Sequence, residues 1–92
     1  MKELGDLAEE LRTHSTNLSF NELVKVCILL FGPPRQNSGS HKVFHMPWHG
    51  DPRINIQAGK NGKAKSYQIK QVIAAIEKLE QAYRDKIGRA HV

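Results

Sequence analysis

Hydrophobic positions recur along this chain at two different periods, and the period changes near its middle. In residues 2–14, Leu4, Leu7, Ala8 and Leu11 follow helical spacing, with acidic residues on the other side. A first helix is expected there, interrupted by Asn17 and Ser19. Ser19-Phe20-Asn21-Glu22 has the form of a capping box, in which the serine hydroxyl and the glutamate satisfy free amides at a helix start. A second helix is expected from Phe20 to about Leu30. Phe20, Leu23, Val24, Cys27, Ile28 and Phe31 form a stripe broad enough to predict deep burial. Gly32-Pro33-Pro34 ends it.

Beyond this point alternation replaces helical spacing. Arg35 to Ser40 is polar, with the character of a short, irregular edge strand. From His41 to Trp48, Phe44, Met46 and Trp48 alternate with Val43, His45 and Pro47, the period of a strand. Pro47 cannot donate to a ladder, so a strand end or sheet edge is expected there. His49-Gly50-Asp51-Pro52 reads as a turn. Arg53-Ile54-Asn55-Ile56-Gln57 alternates again, with Ile54 and Ile56 inward. Gly59 to Lys65 reads as a flexible basic loop. Ser66 is the expected cap of a last helix whose buried stripe is Ile69, Val72, Ile73, Ile76, Leu79 and Tyr83. No Gly or Pro falls between Tyr67 and Ile87, so this helix is expected to run about five turns or more.

The order α-α-β-β-β-α predicts an α+β fold: a small two-layer domain with a three-stranded antiparallel sheet, helices on one face and an extra N-terminal helix. Phe44, Met46, Ile54 and Ile56 would face the helices. The open face would show His41, Val43, His45, Arg53, Asn55 and Gln57.

Length and charge sharpen this picture. Ninety-two residues make one domain, 1–92, with a single core. The longest apolar run, Val26 to Phe31, falls well short of the roughly 18 residues of a membrane span, so no membrane partner is expected. Met1 to Asp6 is polar and acidic and shows no signal peptide, and Cys27 is the lone cysteine; cytoplasmic residence is the expectation. The net charge of +5 is unevenly spread. Residues 35–70 carry Arg35, Lys42, Arg53, Lys60, Lys63, Lys65 and Lys70 against Asp51 alone, whereas residues 1–34 carry a net charge of −2. That is the footprint of a nucleic acid or another polyanion, or else of a solvated basic surface.

The chemistry available in the basic third is limited. His41, His45 and His49 recur every four residues. On a strand that spacing covers roughly 13 Å, too far for one shared metal, so no metal or other cofactor is expected. Cys27 lies on an apolar stripe and reads as a core thiol. Ser38 and Ser40 flank Gly39 without an oriented acid partner for a triad. No phosphate-cradling glycine motif and no carboxylate pair is present in this region. RNA cleavage needs fewer groups, because the ribose 2′-hydroxyl is an internal nucleophile beside the scissile phosphate. A histidine can move the proton, and a lysine or arginine can stabilise the developing charge. His41, at the head of a strand after a Ser/Gly turn, is the candidate acid or base.

Gly39-Ser40-His41-Lys42-Val43-Phe44, followed by Gly62-Lys63-Ala64-Lys65-Ser66-Tyr67-Gln68-Ile69-Lys70-Gln71-Val72, resembles the HicA family of bacterial toxins over roughly residues 19–80. The resemblance implies a double-stranded-RNA-binding-domain-like core at 19–82, with residues 1–18 as a helical extension. It also implies an endoribonuclease that cleaves mRNA and is neutralised by a HicB-like antitoxin protein. The family's catalytic histidine falls on His41. Ser40, Lys42, His45, Arg53, Lys60, Lys63, Lys65 and Lys70 are the candidate RNA-binding residues. Lys42 stands where many members carry a second histidine, and the short Pro33-Pro34-Arg35-Gln36-Asn37 segment predicts a stunted first strand. A non-catalytic RNA-binding module of the same fold, or a protein-docking domain, would share most of these features. The first of these would not need His41.

Overall fold

The computed structural model describes residues 4–15, 17–38 and 41–90. Three helices, α1 (Leu4–Thr13), α2 (Phe20–Phe31) and α3 (Ser66–Ala90), combine with three short strands, β1 (Gln36–Ser38), β2 (His41–Phe44) and β3 (Ile54–Gln57), in an α+β architecture. The sheet is antiparallel in the order β1-β2-β3.

Helix α2 begins where its cap permits. Ser19 is extended, and its hydroxyl accepts a hydrogen bond from the Glu22 amide at 3.1 Å. At the other end Gly32 adopts φ 82° and donates its N–H to the Ile28 carbonyl, a left-handed stop suited to glycine. The buried stripe is narrower than the spacing suggests. Phe20, Leu23 and Cys27 are enclosed, but Ile28 is 42% exposed and Leu29 73% exposed. The enclosed face follows steps of three and four residues, and Ile28 lies about 100° around the helix from Cys27. Burial pushes the Cys27 thiol up to about 12, so no reactive thiolate forms near neutral pH. Because the folded value is raised, the stability Cys27 contributes is intact below the usual thiol range and is lost as pH rises toward that value.

Helix α1 lies on α3. Its Leu7, Ala8 and Leu11 join the same core cluster as Ile69, Val72 and Ile76. Gly5 faces α3, and a Cβ there would stand 3.1 Å from the Glu80 carboxylate. Arg12 pairs with Glu77 across the two helices; the pair is exposed and worth about 1 kcal/mol at most.

Helix α3 differs from expectation at both ends. Ser66 is its first residue rather than its cap, and the Lys65 carbonyl accepts the first helical bond, from the Ile69 amide at 3.1 Å. Tyr83 is 62% exposed, and so is every side chain from 81 to 85, because the helix outruns the layer it packs on. The enclosed residues are Gln68, Ile69, Val72, Ala75 and Ile76.

Phe44, Ile54 and Ile56 on the sheet, with Met46 just beyond β2, are buried toward the helices, as alternation requires. Strand β2 stops at Phe44, three residues short of the end expected at Pro47. Pro47 offers no N–H, and the chain bends away. Trp48 donates its indole N–H to the Pro52 carbonyl at 2.8 Å and meets Phe31 edge-on at 6.1 Å. Lys78 lies 5.0 Å from the Trp48 ring centroid and bonds the Asp51 carbonyl, so the 48–52 turn is tied to both α2 and α3.

The outer edge of β3 is closed by a side chain. With its amide oriented to satisfy both groups, buried Gln68 donates to the Gln57 carbonyl at 2.9 Å and accepts from the Gln57 amide at 3.0 Å. One helix residue thus stands in for the next strand.

Candidate nucleic-acid interface

His41 opens β2 opposite Gln57, and Val43 lies opposite Asn55. The diagonal between those pairs brings His41 and Asn55 together on the open face. Asn55 Oδ1 is hydrogen-bonded to His41 Nε2. With the amide oxygen as acceptor, Nε2 is the donor of this bond, and in the neutral form of the ring Nδ1 then presents its lone pair. The partner is an amide rather than a carboxylate. It orients the ring without supplying a counter-charge for the imidazolium.

Cationic groups flank this pair at both ends of the sheet. At the His41 end, β3 runs directly into the basic segment 59–65. The expected flexible loop is instead a 3-10 turn at Lys60–Gly62, held by specific bonds. Gly59 N–H bonds the Lys63 carbonyl at 2.9 Å, Ala64 N–H bonds the Leu18 carbonyl at 2.9 Å, and Lys63 bridges Ser19. A Cβ on Gly59 would stand 2.9 Å from the Lys63 carbonyl, so only glycine fits. Asn61 and Gly62 take the left-handed conformation that closes the turn. Lys60 and Lys63 point into solvent, and Lys65 is half-buried.

At the other end, exposed His45 and Arg53 line a cleft of about 370 Å³ with Arg35, Trp48, His49 and Asn55. Asn55 therefore borders the cleft and holds His41 as well. Arg53 also borders a second cavity, on the other side of β3, with Lys70. Lys42 is placed apart from these groups. It pairs with Ile56, and alternation puts it on the helix-facing side with Phe44. Ser40 and Gly39 lie outside the described residues. Among the described residues no group of three His, Cys, Asp or Glu side chains could hold a metal ion.

Replacing Lys60, Lys63 and Lys65 together with glutamine is expected to weaken RNA binding across sequences. The slope of log affinity against log salt should fall by up to about two, since each phosphate contact on a single strand contributes about 0.7. Titrations at several salt concentrations measure this. An unchanged slope would move the phosphate contacts to Arg35, Arg53 and the sheet face.

Three contributors were not singled out as site residues in the sequence: Asn55 as partner of His41, and Arg35 and His49 on the cleft. Alternation already places Asn55 on the open face. Its pairing with His41 depends on strand register, which alternation leaves undetermined. Comparison with protein-family models, with curated proteins and with solved structures returns no match to this chain.

Proposed function

We propose that this chain is a metal-independent endoribonuclease of the HicA kind, in which His41 moves the proton during cleavage of mRNA. The observation that carries the reading is the His41–Asn55 pair on an open, cation-flanked sheet face. On this reading, residues 19–82 form a three-stranded core similar to a double-stranded-RNA-binding domain. The chain acts in the cytoplasm, and a HicB-like antitoxin neutralises it by covering the His41 face.

The chemistry follows from the groups present. The ribose 2′-oxygen attacks the adjacent phosphorus, the P–O5′ bond breaks, and a 2′,3′-cyclic phosphate and a 5′-hydroxyl result. His41 Nδ1 takes the 2′-hydroxyl proton, or the imidazolium gives a proton to the departing 5′-oxygen. Lysines of segment 60–65 and Arg53 stabilise the charge gathering on the phosphate oxygens. His45 and Lys70 bind the RNA backbone on either side.

A substrate with a single 2′-deoxynucleotide at the scissile position tests this directly. Cleavage of the all-ribose strand should persist in EDTA and leave a cyclic phosphate, and the deoxy substitution should block it. Cleavage that survives the deoxy substitution, or that requires added magnesium or zinc, would overturn the mechanism.

A further inference from the structure

We infer that the cavity between the 51–53 turn and the first turns of α3 takes one unpaired nucleobase of the bound strand, stacked on Tyr67. The inference rests on the RNA reading above and narrows it to single-stranded substrate.

The cavity is a hollow of about 440 Å³, open to solvent, and is lined by Asp51, Pro52, Arg53, Tyr67, Lys70 and Gln71, with Ala74 beside them. That volume lies in the range of small-ligand pockets, about 300–1,000 Å³. Three of its features suit a nucleotide. Tyr67 is a large aromatic side chain, 56% exposed, at a position where packing requires none. Lys65 Nζ lies 6.0 Å from its ring centroid. Arg53 and Lys70 supply cations for the phosphates on either side of the base. The Gln71 side-chain oxygen is buried and has no hydrogen-bond partner. An acceptor left unpaired at the cavity wall is a group that the donor edge of a nucleobase can satisfy.

Arg53 borders both this cavity and the cleft beside Asn55. A strand crossing the sheet face near His41 can therefore pass over β3 at Arg53 and place a neighbouring base against Tyr67. Bases within a duplex are stacked on one another and cannot enter. Splayed bases on aromatic platforms are the mode of single-stranded recognition.

The test uses a short fluorescein-labelled 2′-O-methyl RNA, which lacks the attacking hydroxyl and stays intact, and follows its binding by fluorescence polarisation. Two comparison probes carry the same label: the same sequence as a duplex, and an oligomer with every base removed. Tyr67→Ala should weaken binding of the intact single strand by about 10-fold or more, and Tyr67→Phe should bind nearly as the parent does. The parent chain should lose a similar factor on the base-free oligomer, on which Tyr67→Ala should bind as the parent does. Thermal melts check that each variant is folded, and the base-free comparison on the parent chain needs no variant. Parent-like binding of the intact strand by Tyr67→Ala overturns the base site and leaves the RNA reading standing. So does equal parent affinity for intact and base-free strands, or tighter binding of the duplex. Failure of the parent chain to bind any of these RNAs overturns both.

Discussion

His41→Ala is expected to cut RNA cleavage by about 100- to 10,000-fold, the usual contribution of a general acid or base. The variant should remain folded. His41 is half-buried at the start of a short strand, and the side-chain bond it gives up is to an exposed asparagine. Such a bond is worth about 0.5–1.5 kcal/mol net. In a domain of this size that lowers the melting temperature by about 10 °C at most. RNA binding should be largely kept, because the flanking lysines and arginines remain. Asn55→Ala should show a smaller loss of rate, since the ring keeps its chemistry but loses its orientation. Parent-like cleavage by a folded His41→Ala chain would remove His41 from the mechanism. Binding without cleavage by the unsubstituted chain would favour the non-catalytic RNA-binding module instead.

Gln68→Ala is expected to destabilise the fold by about 2–5 kcal/mol, from two unsatisfied groups at about 1–3 kcal/mol each together with the volume lost. Gln68 is enclosed, and both ends of its amide are bonded to the backbone of Gln57. Removing it leaves an N–H and a carbonyl at the edge of β3 beneath α3. Against a total stability of about 5–15 kcal/mol, the loss is severe. Urea unfolding followed by Trp48 fluorescence measures it, and an unchanged midpoint would mean that β3 holds its place without the amide. Gln57 lies opposite His41, so the loosened edge is the one that positions the candidate site. Gln68→Leu restores most of the volume but neither bond, and should recover only part of the loss.

What could be read in advance follows strict local rules. Ser19 as the α2 cap, Gly32 as its stop, and the inward set Phe44, Met46, Ile54 and Ile56 each follow from a short-range preference that the fold does not oppose. Features set by neighbours distant in sequence were not legible. Gln68 looks like a surface residue of α3, and only the proximity of β3 makes its amide a strand substitute. Tyr83 continues the apolar spacing of α3, but spacing does not reveal how far the supporting layer extends. The segment 59–65 looks mobile from its glycines, and its bonds to Leu18 and Ser19 come from another part of the chain. Lys42 adjoins His41 in sequence and for that reason points to the opposite face of the sheet.

The overhang of α3 gives one helix two thermodynamic regimes. Through Ile76 its backbone bonds lie over enclosed side chains, so their amides open to solvent only when the domain unfolds. From Gln81 to Asp85 the side chains are exposed and pair along the helix, Gln81 with Asp85 and Arg84 with Glu80. Pairs of that kind add only about 0.2–0.5 kcal/mol each, so this stretch follows a helix–coil equilibrium of its own. Far-ultraviolet ellipticity therefore sums two processes, whereas Trp48, clamped between Phe31 and Lys78, reports only the cooperative one. The two signals need not share a midpoint, and a gap between them measures fraying of α3 rather than an intermediate in the folding of the domain.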